Sequence, residues 1–152
     1  MPRGAHGDTA VTLFTIGYAE ATPPRLIETL RGAGVRLVVD VRALANSRRP
    51  GFSKRALAAA LEEAGIGYLH ERALGTPAEG RAAVRAGRPE AMKPIFLRHL
   101  AGVEAQAALA ALKERARHEG PVCLLCLEAD PAHCHRTLVA EAVGLPVVHL
   151  RA

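Results

Sequence analysis

Arg36-Leu37-Val38-Val39-Asp40-Val41-Arg42 is the stretch on which the fold turns. A near-continuous apolar run of strand length belongs to a strand covered on both faces, and such strands build parallel sheets; a strand with one wet face alternates polar with apolar. Asp40 interrupts this run near its carboxyl end, where a carboxylate must find a partner or suffer a large desolvation penalty. One segment therefore predicts both a sheet type and a polar feature at a strand end.

Working outward, Val11 to Ile16 reads as a strand ending at Gly17, and Thr22-Pro23 caps a helix carrying Leu26, Ile27 and Leu30 on one face. After the 36–41 strand, Ser53 caps a helix to about Ala64, and Ile66 to Leu69 is a short strand. Residues 70–87, with Gly75, Pro77, Gly80 and Gly87, predict a loop or at most a short helix. A long helical stretch runs from about Pro89 to His118, broken near Gly102. Val122 to Leu127 is a strand, Thr137 to Val143 a helix and Val147 to Leu150 a last strand. The alternation predicts a single α/β domain over residues 11–152, a mostly parallel sheet with helices on its faces, preceded by a flexible amino terminus of residues 1–10.

The chain has 152 residues and 49% hydrophobic content, enough for one core. No apolar run approaches the roughly 20 residues that span a bilayer, so no membrane partner is expected. Cys123, Cys126 and Cys134 are odd in number and clustered, unlike a secreted disulfide framework, which predicts reduced thiols and a cytoplasmic location. The net charge is +5, and Arg42, Arg48, Arg49, Lys54 and Arg55 form a basic run without an acidic residue, a pattern that suits phosphate-bearing partners or a solvated loop equally. Phe14, Tyr18, Phe52, Tyr68 and Phe96 are too few aromatics for a broad base-stacking platform.

Ligands of open parallel sheets bind beyond the carboxyl ends of the strands. Those ends here are Gly17-Tyr18, Asp40-Val41-Arg42, His70-Glu71-Arg72 and Cys126-Leu127-Glu128. Asp40 and Arg42 point to one face: they are either a structural ion pair, or an orienting carboxylate behind a guanidinium fork left free for an anion. Cys126-Leu127-Glu128-Ala129-Asp130-Pro131-Ala132-His133-Cys134-His135-Arg136 packs two thiols, two carboxylates, two imidazoles and a guanidinium between a strand and a helix. Cys134 at the helix start, beside His135 and Arg136, fits an activated thiolate; the bland reading buries it under the loop. The Cys123-Leu124-Leu125-Cys126 spacing resembles a zinc turn, but positions three apart on a strand face opposite ways, so no metal is expected. No cofactor is expected either, and Arg136 follows Cys134 too closely for a phosphatase or rhodanese loop.

Thr15-Ile16-Gly17-Tyr18, Val38-Val39-Asp40-Val41-Arg42 with Asn46-Ser47, Gly65-Ile66-Gly67-Tyr68 with Leu74-Gly75, and Leu124-Leu125-Cys126-Leu127-Glu128 with Cys134-His135-Arg136 together resemble the bacterial and archaeal domain-of-unknown-function family 488. Ala45 stands where that family commonly has proline. The resemblance implies a compact α/β fold and one site made of the motif residues. It implies no activity.

The expected site has Cys134, His135, Glu128 and Asp40 as catalytic groups, and Arg42, Arg136, Tyr18, Ser47, Arg48 and Cys126 as substrate-binding groups. Three readings compete. The first is an enzyme acting on a phosphate-bearing substrate, a nucleotide or nucleic acid, with Arg42 and Arg136 clamping the anion. The second is a non-catalytic nucleic-acid or anion-binding module using the 42–55 patch. The third is a structural protein whose polar residues satisfy one another.

Overall fold

The computed structural model describes residues 11–152; the flexible terminus expected over residues 1–10 lies outside the described residues. The elements are β1 (Leu13–Gly17), α1 (Pro23–Gly32), β2 (Leu37–Asp40), α2 (Lys54–Glu63), β3 (Gly67–His70), a 3-10 turn (Arg72–Leu74), α3 (Ala78–Arg85), α4 (Pro89–Leu100), α5 (Val103–His118), β4 (Val122–Cys126), a second 3-10 turn (Pro131–His133), α6 (His135–Val143) and β5 (Val147–Arg151). All five strands are parallel, in the order β3-β2-β4-β1-β5.

β4 is the centre of the sheet, and its residues are buried throughout. Side chains along it alternate between two cores. Val122, Leu124 and Cys126 join Leu13, Leu37, Val39 and Val41 under α4, α5 and α6, where Phe96, Leu109, Leu112 and Val139 close the layer. Cys123 and Leu125 turn the other way, with Ile16 and Val38, onto Leu26 and Leu30 of α1 and Leu57 and Leu61 of α2. The period of two along each strand, with both faces covered, is the condition that makes β2 and β4 read as unbroken apolar runs.

The helices begin and end where side-chain chemistry says they should. Thr22 caps α1 by accepting from the Arg25 N–H at 3.4 Å, followed by proline at the first turn. Gly144 ends α6 in the left-handed conformation with φ 80°. α4 and α5 meet at 84° across Ala101-Gly102, and no single helix is long and apolar enough to cross a membrane. Two elements refine the sequence expectation. The stretch read as a loop or at most a short helix holds the eight-residue α3 after a 3-10 turn, and α6 starts at His135, two residues before Thr137.

Two glycines set the geometry around the strand ends. A Cβ on Gly17 would overlap the Glu128 carbonyl, and one on Gly75 would overlap the backbone of Ala43. The first close approach presses the β4 exit onto β1; the second draws the segment leading to α3 against the β2 exit. Because β2 continues outward to the edge strand β3 while its neighbour β4 continues the other way, across β1 to β5, the connections leave these two strands in opposite directions and a crevice opens beyond their carboxyl ends.

Candidate functional site

The crevice is a cavity of about 260 Å³ lined on one side by Tyr18, Arg42, Cys126, Leu127, Glu128, Cys134 and His135. Its other wall comes from the 43–46 loop and from Thr76, Arg81, Val84, Arg85 and Met92.

At its floor stand two thiols and an imidazole. Cys126 ends β4, Cys134 caps α6 and His135 is the first residue of that helix; all three are buried. The His135 Nε2 lies 2.6 Å from the Val41 carbonyl, which can only accept, so Nε2 carries the proton and donates it there. The Nδ1 lone pair is thereby turned toward the sulfurs, 3.6 Å from Cys126 Sγ and 4.0 Å from Cys134 Sγ. The ring is held from the side by Phe96, edge to face at 5.2 Å. These contacts bias the two thiols in opposite directions. Cys134 is held well below the ordinary thiol range, first by the hydrogen bond from Cys126 and then, against burial, by His135 and the Arg136 charge. Cys126 is pushed well above it by donating that bond and by burial. The two thiols therefore titrate as a coupled pair, with Cys134 the one biased toward the thiolate.

Arg136 has no exposed surface. Its guanidinium donates to the carbonyls of Glu128 and Ala129, and it has no carboxylate partner among the described residues. It was expected to clamp an external anion. Instead, because α6 begins early, the side chain turns back beneath the loop that follows β4, where its charge faces the thiolate rather than the cavity.

Arg42 corrects a second expectation. Its Nε and Nη2 bind the two oxygens of Asp40 at 2.9 and 2.7 Å, and its Nη1 donates to the Tyr18 hydroxyl at 3.1 Å and the Phe52 carbonyl at 2.7 Å. Four of its five N–H groups are used within the protein, leaving one Nη2 N–H rather than a free fork. Asp40, expected as a catalytic carboxylate, has no exposed surface; it also accepts from the Arg42 backbone N–H at 3.1 Å and from the Tyr68 hydroxyl at 2.6 Å. Tyr18 stacks on Phe52 with ring centroids 4.5 Å apart and completes this knot. Asp40, Arg42, Tyr18 and Tyr68 are a structural network at the edge of the site.

The 42–55 basic run is likewise thinned. Arg49 donates to the Ala21 carbonyl and lies over the Phe52 ring, and Arg42 is buried, leaving Arg48, Lys54 and Arg55 exposed. Ser47, expected to bind substrate, instead organises its own loop: its N–H donates to Ser53 Oγ at 3.0 Å and its Oγ accepts from the Arg49 N–H at 3.1 Å. Neither Ser47 nor Arg48 lines the cavity. Glu128 does, half-exposed, with its carboxylate outside any hydrogen bond or ion pair among the described residues.

Besides Arg42, the cations that line the cavity are Arg81 and Arg85, one turn apart on α3, with Val84 between them. Arg81 donates to the Thr76 carbonyl at 3.2 Å, and Arg85 is exposed. Sequence reading passed over them because glycines and a proline surrounded their segment. The signal was present in the run of helix formers after Pro77, which places Arg81 and Arg85 on one face.

Residues 22–143 match the family model described as Domain of unknown function DUF488, and the chain belongs to that family. No curated protein and no solved structure gives a significant match.

Proposed function

We propose that this member of the DUF488 family is an enzyme that acts on a phosphate-bearing substrate in the β1/β2/β4 crevice, with Cys134 as its nucleophile and His135 as its proton partner. The observation that carries the reading is the fixed imidazole: the Val41 carbonyl holds the proton on Nε2, so the Nδ1 lone pair faces two thiols inside a cavity. Cysteine nucleophiles are activated in this way, by an oriented base in a locally positive site. In the reaction Cys134 gives its S–H proton to Nδ1 as its sulfur attacks an electrophilic centre of the substrate, the bond to the departing group breaks, and that group leaves with the proton from Nδ1.

Arg81 and Arg85 would hold the anionic group of the substrate. They are the cavity's guanidinium groups outside the Asp40 knot, and α3 presents them from the wall formed by the 76–92 segment. Leu44, Val84 and Leu127 are among the exposed large apolar residues of the fold, and all three line the cavity. An anionic group attached to an apolar or aromatic body, as in a nucleotide, matches this lining. The alternative of a binding module on the 42–55 patch is less well supported, because Arg42 and Arg49 are engaged internally.

The test is the iodoacetamide labelling rate of each cysteine, read by peptide mass on chelator-treated protein across pH, with and without inorganic phosphate or a nucleoside monophosphate. Cys134 is expected to label with an apparent pKa below the free-thiol value of about 8.5, and the phosphate compounds to protect it in the wild type but less in Arg81→Gln/Arg85→Gln. Labelling with an ordinary pKa and no protection by either compound would refute the proposal.

A further inference from the structure

Cys126 Sγ, Cys134 Sγ and His135 Nδ1 all lie within 4.8 Å of one another at the floor of the cavity. We infer that these three atoms form a binding site for a thiophilic divalent cation of the zinc class, with its fourth coordination position open to the crevice. The argument is one of distances. With Zn–S about 2.3 Å and Zn–N about 2.0 Å, tetrahedral angles set sulfur and nitrogen about 3.5 Å apart and the two sulfurs about 3.8 Å apart. The observed sulfur–nitrogen separations are 3.6 and 4.0 Å, and the two sulfurs lie within 4.8 Å of each other. A cation placed among the three would draw the atoms together by about an ångström at most.

The surroundings meet the other requirements. A metal-bound histidine almost always gives its second ring N–H to a carbonyl or carboxylate, which fixes the tautomer; the His135 bond to Val41 at 2.6 Å does this. Two thiolates and a neutral imidazole around a divalent ion sum to zero charge, which suits groups this deeply buried. Softness favours zinc over magnesium or calcium, since two of the ligands are sulfur. Cys123, which gives the chain its C-x-x-C spacing, takes no part: its side chain lies on the opposite face of the sheet from Cys126. The expectation of no metal was argued from that spacing, and the argument holds for Cys123 without bearing on this trio.

Three protein ligands with an open fourth position are the pattern of catalytic rather than closed structural zinc sites. Glu128 lines the same cavity with an unengaged carboxylate. If Cys134 is the nucleophile proposed above, a bound cation also ties up its sulfur and reversibly blocks its attack.

Cobalt(II) titration of the chelator-treated full-length protein tests the site directly. One equivalent is expected to give intense visible d–d bands of tetrahedral cobalt together with sulfur-to-cobalt charge-transfer absorption, and one equivalent of zinc to bleach both. Cys126→Ser, Cys134→Ser and His135→Gln should each weaken binding at least tenfold, whereas Cys123→Ser should leave it unchanged. Absence of tetrahedral bands in the wild type would overturn the inference, and so would their loss in a folded Cys123→Ser variant. The two proposals separate cleanly. Low-pKa labelling of Cys134 without cobalt bands removes the metal site alone, and cobalt bands with ordinary labelling remove the nucleophile alone.

Discussion

Two polar clusters sit side by side at the carboxyl ends of adjacent strands, and they have opposite characters. At the end of β2, Asp40 receives four donors and Arg42 spends four of its five N–H groups on Asp40, Tyr18 and Phe52. At the end of β4, Cys126, Cys134 and His135 keep a lone pair and two sulfurs facing one another and the cavity. Burial is nearly the same in both. What differs is satisfaction: a cluster whose valences are nearly all met holds the fold together, and one with a lone pair and two sulfurs left over is equipped for chemistry. Neither could be told from the other by residue type, since each looks reactive when read as letters.

Perturbing each cluster tests that contrast. The largest effect is expected from Asp40→Ala, which strands the buried Arg42 charge and the Tyr68 hydroxyl; urea denaturation should show a loss of about 3–5 kcal/mol. A loss near zero would mean that the knot is not structural. Tyr68→Phe removes one charge-assisted hydrogen bond and should cost about 1.5–3 kcal/mol in the same assay. A pH dependence is expected beside these, spread over two thiols. Cys123 is raised by burial, and Cys126 by its bond to Cys134 and by burial, so the folded state keeps two protons that the unfolded chain releases above about pH 8.5. Stability should therefore fall between about pH 8.5 and 10 by about 1.4 kcal/mol per pH unit for each thiol, and Cys123→Ala should halve the slope. Cys134, shifted the other way, contributes stability that is present above about pH 8.5 and lost as pH falls through its lowered folded value. The smallest effect is expected from Cys134→Ser: about 1 kcal/mol of stability alongside complete loss of the fast-labelling thiol. A large destabilisation there would place Cys134 with the structural cluster and erase the contrast.

How much of this the sequence disclosed follows from how local each signal is. Apolar runs such as 36–41 and 122–127 announce strands buried on both faces, and their read ends lie one residue beyond the observed ends at Asp40 and Cys126. The placement of β4 between β1 and β2 has no local signal, because it arises from which apolar faces pair across the whole chain. α3 was hidden because Gly80 lowers helix propensity. Its missing side chain is instead a packing feature, since a Cβ there would meet the Thr76 methyl at 2.6 Å. The pairing of Cys134 with His135 was legible from the helix start. The fate of Arg42 and Arg136 was not: whether a guanidinium reaches solvent or turns inward depends on carbonyls such as those of Phe52 and Glu128, which every residue possesses.

The bond from His135 to the Val41 carbonyl joins positions 94 residues apart. A chain still emerging from the ribosome carries cysteines 126 and 134 as ordinary thiols, because the imidazole has no fixed tautomer until β2 and α6 are assembled. The oriented thiol pair is thus a property of the finished protein and not of its parts. Rapid labelling at position 134 would count native molecules in a crude mixture, and its disappearance would register unfolding before any change in solubility.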